Sequence, residues 1–148
     1  MSLKIVGDGP DSARLAAGSR DMENVDFLGR VSRVELDDLL RRASILVFPS
    51  LWYEGTPRTI AEAFAAGTPV VASDLGAMSS MVDSGVTGLK FTPGDPADLV
   101  QKVERIKNDP SLSRELRAGA RKRFEETYTA ECHYEGLLEI YRKAIHSS

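Results

Sequence analysis

The sequence predicts an α/β fold: a Rossmann-like parallel sheet of about five or more strands, helices on both of its faces, and extra helices at the C-terminal end. Three observations predict it. Short runs rich in Val, Ile, Leu and Phe alternate with stretches of helical periodicity, and such βαβα order implies parallel strands joined by helical crossovers. Runs such as Ile45-Leu46-Val47-Phe48 do not alternate apolar with polar, as expected of strands buried on both faces. After Phe91 the pattern turns wholly helical.

The elements follow in order. Strands are expected at 3–7 (LKIVG), 25–29 (VDFLG), 45–50 (ILVFPS), 69–73 (PVVAS) and 88–91 (GLKF), with helices at 11–20, 32–43, 57–66 and 76–83 between them. Thr56 is the expected N-cap of the third helix, Pro57 its first residue and Gly67 its C-terminal breaker. Asp95 caps the next helix, with Pro96 at its first position. Further helices are expected near 111–126 and 130–145. In the last of these, Tyr134, Leu137, Leu138, Tyr141 and Ile145 form one apolar stripe.

Bulk properties narrow the function. The chain has 148 residues, 42% hydrophobic and 28% charged, which suits one domain with a core of its own. A formal net charge of −3 argues against a general nucleic-acid surface. Cys132 is the sole cysteine, which excludes a disulfide framework. His133 and His146 lack ligand partners at metal-site spacing, so no metal and no cofactor is expected. The Arg114, Arg117, Arg121 stripe reads as a solvated helix face. No run approaches the ~18 apolar residues of a membrane span. The chain opens on its first strand without a secretory leader pattern, and it reads as a single domain, residues 1–148, of a larger protein.

Ligands of parallel sheets bind at the carboxyl ends of the strands. The first strand ends in Gly7-Asp8-Gly9-Pro10, but the third position of a dinucleotide fingerprint holds Ser12. The second strand ends Leu28-Gly29-Arg30 without a ribose-binding acid. A dinucleotide site is therefore not expected, and a tight turn accounts better for the glycines. A phosphoacceptor receiver is excluded by Pro49-Ser50 where its aspartate belongs.

The stretch SLWYEGTPRTIAEAFAAGTP, residues 50–69, places Glu54 before a helix start and Glu62 within a helix that is apolar nearly all round. Such a helix is expected to be buried, and glutamate is rarely buried without a partner. Arg58, four residues earlier, could pair with Glu62 for only ~0.2–0.5 kcal/mol. Glu62 points back toward the helix N-terminus, whose amides form an anion site, and Gly55 permits close backbone approach. A ligand with an anion in its middle and hydroxyls at both ends fits these three elements. A nucleoside diphosphate sugar has that layout.

The segments GDGP, VDFLGRVSRVELDDLLRRASILVFPSLWYEGTPRTIAEAFAAGTPVVASDLGA and GVTGLKFTPGDPADL together closely resemble the C-terminal, donor-binding domain of the family-four retaining glycosyltransferases of the GT-B fold. The resemblance spans nearly the whole chain. It implies transfer of a sugar from a UDP-, GDP- or ADP-linked donor to a glycan or lipid-linked acceptor held by a separate N-terminal domain. The catalytic residue it implies is Glu54, contacting the transferred sugar. Glu62 then holds the ribose hydroxyls, and the backbone of Thr56, Pro57, Arg58, Thr59 and Ile60, with Gly55, faces the diphosphate. Arg30 and Val31 lie near the base, while Gly7, Gly9 and Ser50 shape the cleft. The chain departs from the family pattern at Ala77 and Ser80, where a glycine and a glutamate are usual. The family's diphosphate-clamping Arg and Lys lie ahead of Leu3. A cytoplasmic location, peripheral to the inner face of a membrane where the acceptor is lipid-linked, goes with this reading, as does self-association through the last helix. A sugar-nucleotide epimerase and a non-catalytic nucleotide-sugar-binding module remain the alternatives.

Overall fold

Val70, Val71, Ala72 and Ser73 are all fully buried, and because successive strand residues point to opposite faces, this strand is covered on both sides. It is the centre of a parallel three-stranded sheet in the computed structural model, which describes residues 1–146. The chain divides into two units, Met1–Leu39 and a second beginning at Leu40.

In the first unit, β1 (Leu3–Val6) pairs in parallel with β2 (Val25–Gly29). Leu3, Lys4 and Ile5 face Val25, Asp26 and Phe27, and the register then shifts to put Val6 beside Gly29. Lys4 Nζ lies 3.2 Å from Asp26 Oδ2 across the pair. Burial alternates along β2, the pattern of a strand covered on one face. Helix α1 (Ser12–Gly18) follows β1, and α2 (Arg33–Arg42) follows β2. The Ser32 amide donates to Glu35 Oε2 at 2.8 Å, and the Glu35 amide donates to Ser32 Oγ at 3.3 Å. This reciprocal box satisfies two donors at the start of α2.

The second unit runs β3 (Leu46–Phe48), α3 (Arg58–Ala65), β4 (Val70–Ser73), α4 (Gly76–Met81), β5 (Gly88–Phe91), α5 (Pro96–Asn108) and α6 (Pro110–Arg123). A π-helical turn (Phe124–Tyr128) and α7 (Ala130–His146) complete it. The strand order is β3-β4-β5, with Leu46 beside Val70 and Val70 beside Gly88. The expected five strands are thus present, hydrogen-bonded as a pair and a triplet. β3 is shorter than expected because Pro49, which has no N–H, follows directly on Phe48.

Val71, Leu89, Phe91, Ile106 and Leu116 form a core cluster with Ile45, Leu99, Val103 and Leu112 packed against it. Leu99, Val103 and Ile106 recur at the i, i+4, i+7 spacing that gives α5 an apolar face. Both α5 and α6 begin with Pro after an aspartate cap. Asp95 accepts from the amides of Ala97 and Asp98, and Asp109 accepts from those of Ser111 and Leu112.

Arg114 of the arginine stripe is exposed, as a solvated face requires, whereas the other two members reach across to α3. Arg117 donates to the Gly67 and Ala43 carbonyls at 3.1 and 2.6 Å, and Arg121 donates to the Ala65 carbonyl at 2.6 Å. Both guanidinium groups therefore sit on the carbonyl end of α3, where unpaired oxygens and the helix dipole favour positive charge. The π-helical turn sets Tyr128 against Phe64, ring centroids 6.2 Å apart. Burial, and secondarily Asp83, pushes the Tyr128 hydroxyl above its usual range, while Arg123 opposes the shift. Among the described residues, no helix is long and apolar enough to cross a membrane.

Candidate functional site

Three loops leave the carboxyl ends of β3, β4 and β5, the side on which parallel sheets hold ligands. The loop after β3 and the helix α3 that follows it together carry most of the expected site. The loop's first fixed point is Ser50, whose Oγ donates to Glu54 Oε1 at 3.1 Å and accepts from the Trp52 amide at 3.2 Å. The catalytic candidate is thereby held at the loop's exposed tip by a hydroxyl four residues earlier. Gly55 and Thr56 are also exposed, whereas Pro57 is buried.

Helix α3 starts one residue later than expected. Pro57, not Thr56, is the N-cap, with φ −71° and ψ 96° and no side-chain capping bond. Its extended ψ delays helical geometry to Arg58. The Ile60 amide bonds to the Pro57 carbonyl at 3.0 Å, and the Ile60 side chain is fully buried. The amides of Arg58 and Thr59 are the donors this helix end can offer an anion. At the other end, the Gly67 amide bonds to the Phe64 carbonyl and the Thr68 amide to the Ala63 carbonyl. Gly67, at φ +66°, closes this Schellman motif in the conformation that glycine adopts most readily.

The helix is not buried all round. Ile60, Ala63 and Phe64 are its buried residues, a stripe at i, i+3 and i+4, while Ala61, Glu62 and Ala65 lie on a half-buried flank. Glu62 therefore keeps access to solvent. With its Cβ tilted toward the helix start, it occupies the same helix end as Arg58 and Thr59, one turn in.

Helix α4, strand β5 and the loop after β5 contribute features that the sequence reading missed. Gly76, at φ +51°, lies under the Tyr53 ring, and a Cβ there would meet Tyr53 Cδ1 at 2.9 Å. Leu51 Cδ2 is 3.9 Å from the position a Gly94 Cβ would occupy. Ser79 Oγ donates to Asp74, and Lys90 Nζ donates to both oxygens of Ser79 at 3.2 Å. Lys90 also lies 3.6 Å from Asp74 Oδ1. The one sequence signal for this cluster was a lysine in an otherwise apolar β5.

Gly7, Gly9, Arg30 and Val31 belong to the first unit. Gly7 has φ +117°, and its amide bonds to the Gly29 carbonyl at 2.8 Å. The Gly9 amide bonds to Ser12 Oγ at 2.9 Å, so the serine at the third fingerprint position closes the turn into α1. Arg30 Nε is 3.8 Å from Asp8 Oδ2. Among the described residues, no three His, Cys, Asp or Glu side chains cluster as metal ligands do.

Comparison with known proteins bears on the family and on the fold. The family model described as glycosyl transferases group 1 matches residues 1–123. Glycogen synthase of Mycobacterium tuberculosis is 32% identical over 146 residues, covering 97% of this chain and 35% of that protein. The structure of sucrose-phosphate synthase from Thermosynechococcus elongatus matches with TM-score 0.85 and 28% identity, over 99% of this chain and 39% of that one. Anabaena Alr3699/HepE in complex with UDP-glucose matches with TM-score 0.85 over 96% of this chain and 41% of its own, and at 22% identity it shows the fold alone. The chain spans about a third of the length of the curated relative, at 35%. On the family match and the fold together, the chain belongs to the group 1 glycosyltransferases and has the architecture of a GT-B domain.

Proposed function

We propose that the chain is the donor-binding domain of a retaining glycosyltransferase, and that the whole of residues 1–148 serves that one task. The complete enzyme moves a hexose from a UDP-, GDP- or ADP-linked donor to a glycan or lipid-linked acceptor held by a further domain. The observation that carries this reading is the Ser50–Glu54 hydrogen bond at 3.1 Å, placed at the carboxyl end of β3 and just ahead of α3. It fixes an exposed carboxylate beside a helix start that can bind an anion. UDP-glucose, the ligand of Alr3699/HepE, makes a uridine donor the first to test.

In this scheme Glu54 contacts the transferred sugar and Glu62 accepts hydrogen bonds from the ribose hydroxyls. The backbone from Gly55 through Thr56, Pro57, Arg58, Thr59 and Ile60 lines the diphosphate. Ser50 orients Glu54. As the glycosidic bond breaks, negative charge builds on the departing diphosphate. The Arg58 and Thr59 amides stabilise it there without reorganising. Transfer also requires an oriented acceptor and exclusion of water, so these 148 residues alone bind nucleotide without transferring sugar. We assign the enzyme to the cytoplasm, peripheral to the membrane where its acceptor is lipid-linked.

Calorimetric titration with UDP, GDP and ADP, together with chemical-shift mapping, tests the reading. Residues 54–62 are expected to respond to one of the three nucleotides. Silence of that segment at saturating nucleotide, or sugar transfer by this chain alone at an enzyme-like rate, overturns it.

A further inference from the structure

Every donor-site candidate of the second unit lies between Ala43 and Gly67: Ser50, Glu54, the turn from Gly55 into α3, and Glu62. The carbonyls at the two ends of that segment meet on one side chain. Arg117, half-buried on α6, donates from Nη2 to the Ala43 carbonyl at 2.6 Å and from Nη1 to the Gly67 carbonyl at 3.1 Å. Ala43 precedes β3, and Gly67 follows α3. Glu54 and the Arg58 and Thr59 amides stand at the opposite ends of these two elements. A planar guanidinium with both arms engaged fixes its two acceptors in distance and in angle, which a single-point contact does not.

We propose that Arg117 is a positioning residue of the donor site: its two-armed contact closes the base of the segment and sets where the start of α3 stands relative to the end of β3. The inference rests on the reading of the α3 start as the place of the diphosphate. Helix α3 has 8 residues, a rod of about 12 Å that moves as one body. A shift of its carbonyl end is therefore carried to the Arg58 and Thr59 amides and to Glu62. Arg121 shows what capping alone involves at the same helix end. It donates to the Ala65 carbonyl at 2.6 Å, and its other contacts, Glu125 and the Phe124 ring, lie just beyond it in the chain. Arg121 thus caps α3 without tying it to β3, and the contact with Ala43 is what separates the two arginines.

The test compares Arg117→Ala, Arg117→Lys and Arg121→Ala with wild type. Melting is followed by circular dichroism, and affinity for UDP, GDP and ADP by chemical-shift titration well below the melting temperature. Arg117→Ala is expected to weaken binding of the nucleotide that wild type takes by roughly tenfold, the scale of one charge-assisted hydrogen bond. It should also move the Arg58 and Thr59 amide resonances of the ligand-free protein, at the far end of α3 from the substitution. Lysine keeps the charge and the stem but offers one ammonium in place of a fork, so Arg117→Lys should recover melting temperature and not affinity. Arg121→Ala should melt lower and bind as wild type does. Unchanged affinity or unmoved Arg58 and Thr59 resonances in Arg117→Ala overturn the proposal. So does full recovery of affinity in Arg117→Lys, or an equal loss in Arg121→Ala, because either reduces Arg117 to a helix cap. Should Arg117→Ala fail to fold, the affinity of Arg117→Lys decides alone. Wild type that binds nucleotide while its Arg117 variants bind equally well sinks this inference only. Wild type that binds none of the three nucleotides removes the donor site, and the inference with it.

Discussion

A carboxylate one turn into a helix presents its oxygens toward the helix start, because Cα–Cβ bonds tilt that way. Glu62 stands one turn into α3 on its half-buried flank, while Ile60, Ala63 and Phe64 take the core. Glu54 lies beyond the same helix start and is steadied by Ser50. The two carboxylates should separate in their effects. On the proposed assignment, Glu62→Gln removes a charged acceptor from the ribose, a hydrogen bond worth ~1.5–3 kcal/mol, so bare nucleotide should bind roughly ten- to hundredfold more weakly. Glu54→Gln should leave bare nucleotide nearly untouched and weaken only the sugar-bearing form. Calorimetry with UDP and UDP-glucose on both variants decides it, and equal losses for bare UDP would contradict the assignment.

Helix contacts give the element scale its own tests. Replacing a mid-helix glycine by alanine ordinarily gains ~1 kcal/mol. In α6, however, a Cβ on Gly119 would lie 2.0 Å from the Val86 carbonyl oxygen, a backbone atom that cannot move alone. Gly119→Ala is expected to destabilise by ~1–3 kcal/mol through overpacking. Gly136→Ala, in α7 with nothing near its Cβ position, should stabilise by ~0.5–1 kcal/mol. A Gly119→Ala variant that melts at or above wild type would refute the close contact. The capping box of α2 predicts a pH effect. The Ser32 amide, and secondarily its hydroxyl, holds the Glu35 carboxyl below its usual range. A carboxylate whose folded pKa is depressed contributes stability above its unfolded pKa and loses it as pH falls through the folded value. Wild type should therefore lose more melting temperature than Glu35→Gln between neutral pH and the acid side of ~4, since glutamine keeps the box but does not titrate. Identical acid losses would exclude the mechanism. Local signals of this kind were legible in the sequence: Asp95-Pro96, the βαβα alternation and the Gly67 stop all appear where their chemistry predicts. The N-cap at Pro57 was not, because the extended ψ of a buried proline is set by packing. Nor were the partners of Arg117 and Arg121, since helical spacing alone cannot distinguish water from the carbonyl end of a helix 50 residues away. The Ser50–Glu54 bond escaped for a similar reason. A four-residue separation outside a helix carries no fixed geometry.

At the scale of the whole molecule, α7 is a long helix with an apolar stripe left in solvent. It meets the π-helical turn at its start, yet no residue along its length is buried. Tyr134, Leu137, Tyr141 and Ile145 recur along it at three- or four-residue intervals with exposures of 62%, 41%, 59% and 74%, and Ile140 adds 65% beside them. One apolar side chain in water is ordinary, but a continuous stripe on a helix is not. Two such helices laid together bury both stripes at once, and an exchanged terminal element is a low-cost route to a dimer. Self-association of the 148-residue chain is therefore expected to rise with concentration, detectable as mass by light scattering. The double substitution Leu137→Glu, Tyr141→Glu places like charges at the centre of the stripe, opposite one another in a symmetric pair, and should return the chain to a monomer. Because neither side chain is buried, the variant should melt close to wild type at low concentration. A wild-type mass that stays monomeric throughout the accessible range would show that the stripe does not pair with itself. A variant that still associates would move the contact elsewhere on the molecule, with the exposed Leu51-Trp52-Tyr53 segment as the next apolar surface to test.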